Sequence, residues 1–240
     1  MLRLANPNRF MQWSGKLLPW CAIATVILLG VGTYMALFVA PPDYQQGESV
    51  RIMYIHVPSA MMSTFVYAVM AVSSAVALIW RHPVADIAAR ESAPLGAGFT
   101  LLCLVTGSLW GKPMWGAWWV WDARLTSELV RFFLYLGDIA LVNAFDEPTR
   151  GARACAILAL VCVINLPIIK FSVDWWNTLH QPESIFRLGG PTIAPSMLWP
   201  LLIMVLGFAA FFVTLLLLRM RSALMAAKLR AIRLQQIEAA

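Results

Sequence analysis

Charge is scarce in this sequence: Asp, Glu, Lys and Arg make up only 12% of 240 residues, while 60% are hydrophobic. Soluble domains carry about a quarter charged residues, and a fold of this size cannot hide so much apolar surface from water. Cysteine is also rare. Cys21, Cys103, Cys155 and Cys162 each lie inside an apolar block, with no Cys-x-x-Cys and no Cys-x-x-Cys-His. That excludes covalent attachment of haem to this chain and dithiol chemistry, and leaves the thiols as small apolar side chains. Histidine is scarcer still, limited to His56, His82 and His180. The net charge of +6 forms no single basic patch. Its Lys and Arg lie between apolar blocks and in the C-terminal tail, a pattern of membrane topology rather than of nucleic-acid binding.

What the chain has instead is long apolar runs, each near the roughly 20 residues that cross a bilayer core. Six are expected, at about 17–40, 57–80, 93–110, 127–145, 154–173 and 196–218. The fold class is therefore all-α: a single polytopic membrane domain over 1–240, a bundle of six transmembrane helices with no soluble domain. The first run lacks a small-residue cleavage signature and reads as a retained helix. It ends at Pro41-Pro42, Pro58 suits the first position of the second helix, and Gly111-Lys112-Pro113 marks the end of the third.

Basic residues set the orientation. Arg3, Arg9, Lys16, Arg81, Arg90, Arg150, Arg153 and the tail from Arg219 to Arg233 fall on one side, against Arg51, Lys112, Arg124 and Arg187 on the other. Both termini are then cytoplasmic, and loops 41–56, 111–126 and 174–195 face outward. Those outer loops hold most of the tryptophans, together with His56 and His180.

The segment from Trp110 to Glu128 reads WGKPMWGAWWVWDARLTSE. Were it helical, Trp115, Trp118, Trp119 and Asp122 would share one face. An interfacial aromatic belt accounts for one or two Trp at a helix end, not for five in so short a stretch. Indoles at this density suit a flat, π-rich apolar ligand, and Arg124, with Lys112 and Arg51 or Arg187, could pair with its anionic groups. The same cations could instead reach toward lipid headgroups. Two neutral imidazoles on opposite faces of a porphyrin form an axial pair for iron, a role open to His56 and His180. Loop histidines can equally be plain polar residues, and His82, beside Arg81, reads as solvated. Arg131 and Asp138, seven apart in the fourth helix, can share a face.

The run from Trp115 to Ser127 resembles the tryptophan-rich WWD signature of haem-handling proteins, and the whole chain most resembles the cytochrome c maturation protein C (CcmC) family. That resemblance implies axial haem ligands at His56 and His180. It implies a WWD core of Trp115, Trp118, Trp119, Trp121 and Asp122 within an outer segment 110–128. It further implies location in a bacterial inner membrane and no enzymatic activity. The family passes haem to the periplasmic chaperone CcmE and works beside the small membrane protein CcmD and an ABC transporter of CcmA and CcmB. Cytochrome c synthases of the same superfamily carry further histidines inside the membrane, which this chain lacks. Asp122 is expected to orient Arg124 or its loop rather than to move protons. Two other readings stay open: a b-type cytochrome exchanging electrons with quinol, and a permease for a small solute using Asp138, Asn143, Asn165 and Pro167.

Two measurements test this reading. Periplasmic phosphatase fusions after Gln45, Trp118 or Trp176 are expected to be active, and fusions after Arg90 or Arg150 inactive; the opposite pattern overturns the orientation. Replacing the four cysteines together by Ser is expected to leave cytochrome c assembly nearly intact, and its loss at normal protein level would expose thiol chemistry.

Overall fold

A computed structural model describes residues 5–142, 144–176, 179–180 and 189–238. Arg3, Asn143 and Arg187 lie outside the described residues. Among those described the chain is helical, and its only β pairing is an isolated bridge between Asp43 and Gly47. The helices are α1 (Pro7–Tyr34), α2 (Met53–Trp80), α3 (Pro83–Trp115), α4 (Ala123–Val142), α5 (Pro148–Val161), α6 (Asn165–Trp175) and α7 (Pro195–Glu238). A π turn, Met35–Val39, extends α1, and a 3₁₀ turn, Glu48–Ile52, leads into α2. Among the described residues five helical stretches are long and apolar enough to cross a membrane: Pro7–Val39, Glu48–Trp80, Pro83–Trp115, Thr149–Trp175 and Pro195–Glu238. At 20 residues α4 has the length, but it carries Glu128, Arg131 and Asp138 on its buried face.

Several helix ends differ from the sequence expectation, each for a local reason. Asn6 caps α1 by accepting from Asn8 N at 2.9 Å, with Pro7 at the first helical position, so α1 starts well before residue 17. His82 is more than a solvated side chain. Its Nδ1 accepts from Ala85 N at 3.1 Å and caps α3, which begins ten residues early. Pro58 is not the first residue of α2 but lies inside it, where Ser59 Oγ donates to the Ile55 carbonyl at 2.6 Å. The Gly111-Lys112-Pro113 sequence does not stop α3, which continues to Trp115 and ends at Gly116 with φ 75°. Only glycine takes that left-handed cap without strain. The fifth run is broken by a 3₁₀ turn at Cys162–Ile164, just before Pro167, which has no N–H to donate to the carbonyl four residues back.

α2 lies along α3, α1 lies along α7, and α4 packs against α3, α5 and α6. The α1–α7 seam is close: a Cβ on Gly32 would meet Met204, and one on Gly207 would meet Leu29. Thr25 and Thr214 are joined across it at 3.0 Å.

At the centre of the bundle Arg131 is fully buried. It pairs with Glu128 at 3.2 Å, and its Nη1 donates to Ser63 Oγ at 2.9 Å and Thr64 Oγ1 at 2.6 Å. Ser63 Oγ in turn donates to Glu128 Oε1 at 2.7 Å, and Tyr135 donates to the Ser63 carbonyl at 2.8 Å. Arg131 therefore ties α4 to α2 and is not paired with Asp138. In a low-dielectric interior such charges persist only when paired and hydrogen-bonded.

Tyr135 reaches Ser63 across Gly96, where a Cβ would overlap its ring, whereas Gly98 opens on space. Gly96→Ala is therefore expected to cost on the order of 1–3 kcal/mol by overpacking. Gly98→Ala should be neutral or slightly stabilising. Thermal unfolding in detergent compares them, and equal melting temperatures would contradict this packing.

Candidate functional site

A cavity of about 760 Å³ opens where the first turns of α2, the last turns of α3 and the start of α7 meet the loops between helices. That volume falls within the range of cofactor and drug-sized ligand pockets. His56 and His180 both line it, with Trp110, Trp115, Arg124 and an apolar floor of Met53, Val57, Met61, Met197 and Leu201. His56 stands within α2 rather than in a loop before it.

Each histidine is held by Nδ1. His56 Nδ1 lies 3.1 Å from the Cys103 carbonyl and 3.1 Å from Thr106 Oγ1. Thr106 directs its own hydroxyl proton to the Leu102 carbonyl at 2.6 Å, so its oxygen faces His56 as an acceptor. His180 Nδ1 lies 3.1 Å from Asp122 Oδ2. Carbonyl and carboxylate oxygens only accept, so in both rings Nδ1 carries the proton and Nε2 keeps its lone pair. Burial lowers the pKa of His180 from its ordinary value, against the opposing pull of Asp122, and favours the neutral ring a metal needs.

The rings are fixed by aromatic contacts as well. Trp110 meets His56 edge-on, with centroids 5.6 Å apart, and Trp115 meets His180 edge-on at 4.9 Å. Trp110 Nε1 donates to Gln46 Oε1 at 3.0 Å, tying α3 to the 41–47 loop. Gly107 makes room for the first imidazole, since a Cβ there would stand 3.0 Å from His56 Cε1.

The tryptophan-rich segment does not form the helical face considered from the sequence. Between Gly116 and Asp122 the backbone is not helical, because the left-handed Gly116 ends α3 and Asp122 starts α4. Asp122 accepts from Leu125 N at 2.7 Å as an N-cap and is buried. Trp115 alone of the four proposed WWD tryptophans lines the cavity. Trp118 and Trp121 are exposed, at 56% and 75%, and Trp119 packs edge-on against Trp121 at 5.4 Å. Asp122 holds the loop at the start of α4 by accepting from Leu125 N and faces His180, while Arg124 faces the cavity.

The cations separate too. Arg124 faces the cavity. Lys112 donates to the Gly116 carbonyl at 3.1 Å and lies over the Trp118 ring. Arg51 pairs with Glu48 and donates to the Ala36 carbonyl at 2.6 Å, holding the π turn against the 3₁₀ turn. Among the described residues no three His, Cys, Asp or Glu side chains converge as a metal cage. Sequence reasoning missed Thr106, Gly107 and the four methionines of the wall, Met53, Met61, Met114 and Met197. Their only signal was position on the faces of α2, α3 and α7, which required the helix packing.

The family model described as Heme exporter protein C matches residues 1–235. The chain is 56% identical to the Heme exporter protein C of Bradyrhizobium diazoefficiens over 98% of its length and 89% of the relative's. It is 52% identical to that of Escherichia coli K12 over 92% and 89% of the two chains, and 41% identical to that of Rhodobacter capsulatus over 95% of each. The chain belongs to the Heme exporter protein C family, the haem-handling membrane proteins of cytochrome c maturation.

Proposed function

We propose that the cavity receives haem, with His56 and His180 as axial ligands through Nε2, and presents it for transfer to a chaperone during c-type cytochrome assembly. The observation that carries this is the matched hydrogen bonding of the two imidazoles. Both are neutral-ring donors with Nδ1 occupied, the arrangement that metal-bound histidines require. Two imidazoles make no cage for a bare ion, but they complete an iron that arrives with four equatorial nitrogens. Haem is cargo here, bound and passed on.

The indoles of Trp110 and Trp115 would lie against the macrocycle edge, and the methionine-rich floor would take its apolar face. Arg124 is the basic side chain placed to pair with a propionate. Trp118 and Trp121, exposed beside the cavity, form the surface a chaperone would meet. In this reading α4 is a sixth span, both termini are cytoplasmic, the cavity opens on the periplasmic side of the inner membrane, and the receiving chaperone is CcmE. CcmD, CcmA and CcmB are the companions that the family resemblance brings. A quinol-linked b-type cytochrome finds some support in the placement of His56 on a helix. His180, on the connection between α6 and α7, fits transfer better than permanent burial.

The purified protein is expected to show a six-coordinate, low-spin haem spectrum. His56→Ala and His180→Ala should each lose that signature and retain less haem, and His82→Ala should keep both, although it loosens the cap of α3. A wild-type spectrum in both His56 and His180 variants contradicts the ligand assignment. Trp121→Ala should retain haem while loading of the chaperone falls several-fold. Normal chaperone loading in that variant removes the exposed indoles from the transfer step.

A further inference from the structure

We propose that Asp122 is a positioning residue that fixes the tautomer of His180, so that its carboxylate, beyond its role as a helix cap, decides whether His180 can bind iron. This rests on the haem reading above. The two carboxylate oxygens have separate tasks: Oδ1 accepts from Leu125 N at 2.7 Å and Oδ2 faces His180 Nδ1 at 3.1 Å. The Asp122 side chain is 5% exposed, so water has little access to replace it.

An ionised carboxylate offers only lone pairs, so the ring nitrogen facing it holds the proton and Nε2 is left as a ligand. Asparagine changes that logic while preserving the shape. It is as good an N-cap as aspartate, and its carbonyl oxygen is the only atom able to accept from Leu125 N. The amide nitrogen then falls on the His180 side. It can only donate, so Nδ1 must present its lone pair and the ring proton moves to Nε2, blocking the iron-binding position. The same substitution beside a catalytic histidine elsewhere acts through a wrong tautomer.

The two histidines differ in this respect. His56 is held by the main-chain carbonyl of Cys103 as well as by Thr106, and no side-chain substitution removes a backbone acceptor. His180 depends on a side-chain carboxylate within the WWD segment. The Asp of that segment thus connects the fold of α4 to the iron-binding state of a residue 58 positions away.

The test compares full-length wild type, Asp122→Asn, Asp122→Ser and His180→Ala, each loaded with haem in detergent, by absorption spectrum and by haem titration. Serine caps α4 through its hydroxyl but places no amide against the ring. Asp122→Asn is expected to give the spectrum of His180→Ala and to bind haem about 10–100-fold more weakly than wild type. Added imidazole should restore the low-spin spectrum in both. Asp122→Ser should stay closer to wild type than Asp122→Asn, although it is the less conservative change. A wild-type spectrum in Asp122→Asn, or a larger loss in Asp122→Ser than in Asp122→Asn, overturns the tautomer assignment. A wild-type spectrum in His180→Ala defeats the assignment of His180 as a ligand, and failure of the wild type to bind haem defeats the haem reading itself; both are separate outcomes.

Discussion

A neutral imidazole can offer a metal one nitrogen only if its proton sits on the other, and inside a membrane protein that proton must have an acceptor. The site depends on this constraint. For His56 the acceptor is the carbonyl of Cys103, reinforced by Thr106, so the imidazole on α2 is set by the wall of α3. For His180 it is Asp122, so the imidazole on the last connection is set by the start of α4. An unsatisfied ring N–H in a low-dielectric cavity costs on the order of 1–3 kcal/mol, which makes these acceptors part of the fold as well as of the chemistry.

The bundle holds those acceptors in place by different means. α3 is pressed against α2, with Gly107 admitting the imidazole. α4 carries its own charges inward: the Arg131–Glu128 pair and Tyr135, with Ser63 and Thr64 of α2, fasten it to α2 about two to four turns beyond the Asp122 cap. A helix with three buried charged residues is a poor lipid-facing span, but it makes a stable support for the residue at its end. Arg51 and Gln46 close the opposite side, tying the π turn of α1 and the 41–47 loop to α2 and α3.

The all-helical fold and the order of the long apolar runs were legible from the sequence, because apolar length marks a candidate span. Helix ends were less so. Pro58 and the Gly111-Lys112-Pro113 run look like boundaries, yet tertiary packing carries helices through both, while the cap contributed by His82 is visible only once Ala85 is placed. The fifth run breaks at Cys162–Ile164, as the presence of Pro167 allows but does not require. At the site, the two histidines, Trp115, Arg124 and Asp122 were all singled out from residue type and clustering. Their division of labour was not. Helical spacing places Trp115, Trp118, Trp119 and Asp122 on one face, but a single left-handed glycine, Gly116, ends the helix, and Trp118 is left exposed while Trp115 lines the cavity. The partners of His56 lie about 50 residues away along the chain and belong to a main-chain carbonyl and a hydroxyl, which no local pattern marks.

The central claim is that His56 and His180 meet one haem iron through Nε2 while their Nδ1–H groups still donate to the Cys103 carbonyl, Thr106 Oγ1 and Asp122 Oδ2. An experimental structure of the haem-loaded protein tests it most directly. The account predicts iron density between the two Nε2 atoms with all three Nδ1 contacts intact. Iron bound through Nδ1, or by a cavity methionine in place of either histidine, would contradict it.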